Sequence, residues 1–303
     1  MGKVTFTDNC SKMGAAYKAR DFGPLGEELI SRAKLNTYFS VVGDMFISYN
    51  VTVNKNLSRI YQDDFFVVKF DLVNVNSTHK DDQEAEIEKL FVSLKEYMES
   101  NPGYYNVRVP SHVVDIMRGF NSINGNAMFC GGTVEMIVTD NAPDVPMDFK
   151  NYSSKEYVVN HKDVILNIAR KSFGEYQGQY HISSVTSYKA GEIYGNWLGD
   201  FLDGDLDGLF IADVEGKPAG FALFVEDSES VNTELIAVDE SFRGHGIYRN
   251  MISYGINYAV NKGKIFINST QLDNFIVQKT SAKLGMFPIY SIYNFHFDYR
   301  RKK

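Results

Sequence analysis

The most constraining stretch of the chain is Glu234-Leu-Ile-Ala-Val-Asp-Glu-Ser-Phe-Arg-Gly-His-Gly-Ile-Tyr-Arg249. An apolar strand, Glu234 to Val238, runs into a turn with glycines at 244 and 246, and the turn opens a helix over Ile247 to Asn261. The start of a helix leaves backbone N–H groups without intrahelical partners and carries partial positive charge. Glycines let a ligand approach those amides, and Arg243 adds a cationic edge. On spacing alone the turn serves equally well as a pyrophosphate cradle or as a strand-to-helix turn that needs glycine only for its geometry.

Alternating helices and strands surround this segment. Asp163 is expected to cap a helix carrying Ile165, Leu166, Ile168 and Ala169, and a longer helix bears Ile193, Tyr194, Trp197, Leu198 and Phe201 on one face. Leu209 to Val214 and Phe221 to Val225 read as strands joined through Glu215-Gly-Lys-Pro. Lys264 to Ser269, Asn274 to Leu284 and Ile289 to Tyr299 read as strand, helix and strand.

The N-terminal half repeats the style. A strand begins at Phe65, with Phe66, Val68, Phe70 and Leu72 on one side, and a helix follows from Ile87 to Met98, stopped by Asn101-Pro-Gly. Tyr104 to Val109 reads as a strand, Ser111 opens a helix, and Thr133 to Val138 is a strand after Gly131-Gly132. Asp21-Phe-Gly-Pro-Leu-Gly reads as a loop. Two prolines within Asn141 to Pro146 mark a linker, which divides the chain into residues 1–145 and 146–303. The class is α/β, in the α+β sense of a mixed sheet flanked by helices.

Composition narrows the function. A net charge of −7 argues against broad binding to nucleic acid or anionic membrane. Only two cysteines occur, Cys10 and Cys130, too few for a disulfide framework or a metal-ligand cluster. No apolar run approaches the ~20 residues of a membrane span, and the N-terminus lacks a signal-peptide core, so the expected location is cytoplasmic. The 19 tyrosines and 22 phenylalanines supply core and a lining for a ring-shaped ligand.

Arg243-Gly244-His245-Gly246-Ile247 resembles the acyl-CoA motif of the GNAT N-acyltransferases, Arg/Gln-x-x-Gly-x-Gly/Ala, and the order of elements in residues 146–303 is similar to that of a GNAT domain. Tyr248 departs from the motif, standing where the family has Gly or Ala. The tracts Asn268 to Lys279, Lys283-Leu-Gly-Met-Phe-Pro288 and Tyr293-Asn-Phe-His296 resemble the GNAT enzymes of amino-sugar and surface-polysaccharide pathways, such as TDP-4-amino-4,6-dideoxygalactose (TDP-fucosamine) N-acetyltransferases. Those enzymes carry a partly GNAT-like N-terminal domain, to whose end Tyr104 to Val138 is similar; here that domain has no CoA motif.

The resemblance implies an acetyl-CoA or other acyl-CoA co-substrate, no metal, and a small-molecule amine as acceptor, with the protein working alone or as a homodimer. It implies cofactor contacts from Ile236, Ala237, Val238, Arg243, Gly244, His245, Gly246, Ile247, Tyr248 and Asn274. Asn274 serves equally as a helix N-cap. Tyr180, His181 and Tyr194 fall to acceptor binding. The family's acid is a tyrosine seven residues after Asn274; the chain has Ser281 there. For the base, Glu234 is either a solvent-facing strand residue or a carboxylate acting through water, and His296 is either a base or a hydrogen-bonded core residue. Two rivals remain: a tandem-GNAT aminoacyl transferase, and a non-catalytic acyl-CoA sensor or scaffold.

Overall fold

The computed structural model describes residues 45–74, 91–111, 127–138, 155–176, 178–204 and 206–301. In chain order the elements are β1 (Met45–Val53), α1 (Lys55–Tyr61), β2 (Phe65–Asn74), the helix α2 described over residues 91–100, β3 (Tyr104–Pro110) and β4 (Ala127–Val138). They continue with α3 (Lys155–Glu175), α4 (Gln179–Ile182), α5 (Ala190–Leu202), β5 (Leu209–Val214), β6 (Lys217–Glu226) and β7 (Ser230–Val238). The last are α6 (Ile247–Asn261), β8 (Ile265–Gln271), α7 (Phe275–Lys283) and β9 (Phe287–Asp298). No helix among the described residues is long and apolar enough to cross a membrane.

The chain divides into two compact units, Met1–Thr133 with Tyr290–Lys303, and Val134–Ile289. In the first, β1 pairs antiparallel with β2, β2 runs parallel to β3, and β3 pairs antiparallel with β9. One face of this sheet presents Val68, Tyr105, Val107, Val109, Phe295 and Phe297 to Phe91, Leu94 and Met98 of α2. The 3-and-4 spacing of that helix faces the core as its sequence predicts. The end of β9, expected with the second domain, is therefore held by β3 of the first unit. The linker around residue 145, the loop at Asp21 and the helix opened by Ser111 lie outside the described residues.

In the second unit β5, β6 and β7 form an antiparallel meander, and β7 runs parallel to β8. The β5–β6 turn is only Glu215-Gly216, both at positive φ (53° and 81°), the twist a two-residue hairpin requires. Lys217 and Pro218 belong to β6. Met251, Ile256 and Ala259 of α6 pack with Phe210, Phe224 and Phe266 of the strands in one core.

Two expectations are corrected here. Asp163 is not a cap: α3 runs for 21 residues from Lys155, because its apolar face already begins at Val158, and Asp163 lies in mid-helix. The helix after it, α5, is the shorter of the two at 13 residues. The two helices cross closely at Gly191, where a Cβ would stand 2.7 Å from the Arg170 carbonyl oxygen.

Candidate functional site

The site begins with the register of β7. The Asp239 N–H donates to the Ala219 carbonyl at 2.9 Å, and Phe221 faces Ala237 while Gly220 faces Val238 and Ala222 faces Ile236. Hydrogen-bonded and non-bonded pairs alternate in an antiparallel ladder. Ala237 therefore spends its backbone groups on β6, whereas Ile236 and Val238 turn theirs to the opposite edge. On that edge β8 pairs with β7 only from Ser230↔Ile265 to Asn232↔Ile267. Beyond Asn232 the two strands part, and the edge of β7 has no backbone partner on β8, its Val238 carbonyl accepting instead from Ser172 Oγ and Arg243 Nε at 3.4 Å each. A bulge at Glu234, where the β6–β7 register shifts, adds twist just past the point of divergence.

The turn after β7 is shaped by short-range bonds. Asp239 accepts from the Ser241 N–H at 2.9 Å, which nucleates the single 3-10 turn Glu240–Phe242. This bonding with Ser241 holds the Asp239 carboxyl below its usual range. Gly244 and Gly246 follow at φ 85° and 78°. A Cβ at either would meet nothing within 4 Å, so the turn faces open space and its glycines are there for conformation. Gly246 caps α6 without a side-chain bond, and the first turn of α6 carries no acidic residue. Arg243 is exposed, with its Nε donating to the Val238 carbonyl at 3.4 Å. Uncapped amides, an approachable glycine turn, the Arg243 cation and a first helical turn without acidic residues suit a phosphate.

Behind the turn lies a polar chain of which sequence reasoning assigned only Tyr248 to the site. The Ser269 N–H donates to Thr233 Oγ1 at 3.1 Å, and Thr233 Oγ1 donates to Asn268 Oδ1 at 3.0 Å. Asn268 Nδ2 donates to Ser281 Oγ at 2.9 Å and to the Tyr248 hydroxyl at 3.3 Å. Asn268 and Ser281 are fully buried. The only signal in sequence was a pair of departures from the family pattern, Tyr248 and Ser281, which the fold brings to one asparagine. Burial pushes the Tyr248 phenol upward, so it stays protonated.

Asn274 caps α7, its side chain accepting from the Val277 N–H at 3.3 Å. Beside it lies the buried hydroxyl of Tyr176, which makes no well-formed hydrogen bond. Burial raises that phenol, with Asp273 adding to the effect. Tyr194 stacks on the half-buried Phe173 at 4.4 Å and meets Tyr180 edge-on at 5.8 Å, and both tyrosines are buried. His181 has both nitrogens engaged: Nδ1 accepts from the Gly178 N–H at 3.2 Å, and Nε2 donates to the Gly174 carbonyl at 3.0 Å. It ties the end of α3 to α4. His245 is exposed, with Nδ1 3.3 Å from the Phe242 carbonyl oxygen.

His296 belongs to the first unit. It is 2% exposed on β9, opposite Asn106, with Nδ1 2.9 Å from the Tyr104 hydroxyl. Burial lowers its pKa to about 4. Such an imidazole is neutral throughout the neutral range, and does not titrate at pH 6–7 as an unperturbed histidine would. Among the described residues no group of three or more His, Cys, Asp or Glu is placed to hold a metal ion.

Residues 167–286 match the family model described as Acetyltransferase (GNAT) family. An uncharacterized N-acetyltransferase of Methanocaldococcus jannaschii is 29% identical over 122 residues, covering 38% of this chain and 51% of the relative. The chain thus spans about half the length of that curated relative. Two solved structures share the fold across most of the chain. The GCN5-related N-acetyltransferase of Sphaerobacter thermophilus superposes with a TM-score of 0.52 at 12% identity, covering 84% of this chain and 78% of the other. That of Kribbella flavida gives 0.52 at 11% identity, covering 89% and 94%. The fold is that of the GNAT acetyltransferases.

Proposed function

We infer that the chain is an acetyl-CoA-dependent N-acetyltransferase whose acceptor is a small amine, and that the acceptor is a nucleotide-linked amino sugar. The observation that carries the reading is the conjunction of the open edge of β7 with the uncapped glycine turn at the start of α6. The amides from Arg243 to Tyr248 would hold the pyrophosphate, and the outward backbone groups of Ile236 and Val238 would hold the amide-bearing arm. Bound acetyl-CoA supplies an activated acyl carbon. The match of residues 167–286 to the GNAT family supports the transfer of an acyl group.

The amino-sugar acceptor rests on the resemblance of the tracts at 268–279, 283–288 and 293–296, and on the aromatic cluster of Phe173, Tyr180 and Tyr194. Glu234, half-buried at the bulge, is the residue of this unit proposed to take the amine's proton through water. Calorimetry with CoA, followed by mass spectrometry of a panel of nucleotide-linked amino sugars incubated with acetyl-CoA, tests the reading. One CoA per chain and a product heavier by one acetyl group are expected. A product heavier by one amino acid would point to an aminoacyl transferase, and CoA binding without turnover of any amine to a sensor. Absence of CoA binding overturns the reading.

A further inference from the structure

One corner of the first unit's sheet, on the face turned away from α2, is polar and yet buried. In β3 the alternation of side chains sends Tyr105, Val107 and Val109 to the α2 core, which leaves Asn106 and Arg108 on the other face. In β9 Phe295 and Phe297 go to that core, which leaves Asn294 and His296 on the face of Asn106 and Arg108. The register pairs Arg108 with Asn294 and Asn106 with His296, and parallel β2 brings Lys69 beside Arg108. Asn294 is 0% exposed, Asn106 4% and His296 2%, so this is no solvated face. Buried polar groups are almost always hydrogen-bonded. Here neither Nδ2 nor Oδ1 of Asn294 has a partner, and the buried Nε of Arg108 has none. Arg108 takes part in no ion pair among the described residues.

We propose that this corner binds a small carboxylate with a hydroxyl or ammonium group on the neighbouring carbon, the class of α-hydroxy and α-amino acids. Side chains directly opposite in an antiparallel pair start about 4.5–5.5 Å apart, so Arg108 and Asn294 reach one small molecule together. The Arg108 Nε–H and the Asn294 Nδ2–H donate to the carboxylate, and Lys69, exposed at the rim, adds positive charge. Asn294 Oδ1 then accepts from the ligand's hydroxyl or ammonium. A bound water would satisfy the amide but leave the half-buried guanidinium without a counter-charge. His296 supplies no charge, because burial keeps its imidazole neutral. The site uses residues of the first unit alone and stands independently of the acyl-transfer reading.

Calorimetry of the full chain with L-lactate, L-alanine, propionate and inorganic phosphate tests the assignment. Lactate or alanine should bind, and propionate, which lacks the second group, should bind about tenfold more weakly. Arg108→Gln should weaken the bound acid by about tenfold or more, the loss of a charge-assisted pair. Lys69→Gln, at an exposed position where folding is not at risk, should weaken it a few-fold, with the effect shrinking at high salt. Asn294→Leu removes the buried amide and should abolish the preference for lactate or alanine over propionate. Without ligand that variant should melt no lower than the parent, since an apolar group replaces polar atoms that have no partner. A marked drop in its melting temperature would show that the amide is satisfied from within the protein, and overturns the proposal. So does the absence of binding of either acid to the folded parent, or equal affinity in the parent and both charge variants. Phosphate binding more tightly than any carboxylate overturns it as well.

Discussion

Thr233 and Asn268 meet at 3.0 Å one residue beyond the last backbone pair between β7 and β8, so a side-chain bond takes over where the ladder stops. The fold thereby opens a cleft between two parallel strands without leaving its base loose. Thr233 also receives the Ser269 N–H. Its hydroxyl thus holds both an amide side chain and a backbone donor at the point of divergence.

Thr233→Val keeps the shape and removes both bonds. Asn268 Oδ1 is left buried and unpartnered, so a loss of about 1–3 kcal/mol in urea unfolding is expected. Asn268 would then be held only through its Nδ2, and CoA affinity should fall as the base of the cleft loosens. Unchanged stability in denaturant would show that the bond contributes nothing.

His181→Ala should act on structure and not on the acceptor. Both ring nitrogens are engaged, by the Gly178 N–H and the Gly174 carbonyl. Losing two part-exposed bonds is expected to cost about 1–2 kcal/mol in thermal or urea unfolding. The KM for the acceptor should stay within a few-fold; a large rise in KM with unchanged stability would restore His181 as a substrate ligand.

The pKa of His296, lowered to about 4 by burial, has a stability consequence of defined sign. An unfolded histidine titrates near 6.5, so below that pH the unfolded chain binds a proton that the folded chain refuses. The stability this neutral imidazole secures is full above about 6.5 and drains away as pH falls towards 4. Between pH 7 and 5 the loss is about 2 kcal/mol on the linkage relation. Urea unfolding of parent and His296→Phe at both pH values measures it, and the variant should lack this part of the acid sensitivity. An acidic limb in kcat near pH 6–7 that disappears in the same variant would instead mark His296 as a base.

Much of the second unit was legible because its signals are local. The α6 boundaries and the β5 boundaries follow from periodicity, whereas the turn read as Glu215-Gly-Lys-Pro closes in two residues, with Glu215 itself at positive φ. Asp163 misled because an aspartate before an apolar run looks like a cap, while the helix had started at Lys155. The chain's last strand could not be assigned from pattern, since alternation in β9 says nothing of its partner; β3 took it. The Thr233–Asn268–Tyr248–Ser281 chain joins residues up to 48 positions apart in sequence, a contact that only folding brings about. Tyr248 and Ser281 read separately as two losses; around Asn268 they form one arrangement.

The glycine turn gives the sharpest prediction about ligand binding. Gly246 stands at φ 78° as the cap of α6, yet a side chain there would meet nothing within 4 Å. The penalty for Gly246→Val is therefore conformational, not steric, and a β-branched residue in the left-handed region costs about 1–2 kcal/mol. The chain can relieve that strain by turning φ negative, which redirects the amides of Ile247 and Tyr248. Stability should then fall only modestly, while CoA affinity should drop by two orders of magnitude or more, roughly two phosphate hydrogen bonds at about 1.5–3 kcal/mol each. Arg243→Gln, which keeps the turn and removes the charge, should weaken CoA about tenfold and reduce the salt dependence of binding. Calorimetry of both variants at two ionic strengths separates the two contributions. If Gly246→Val binds CoA as the parent does, the turn is not a phosphate cradle, and its glycines serve only to let β7 enter α6.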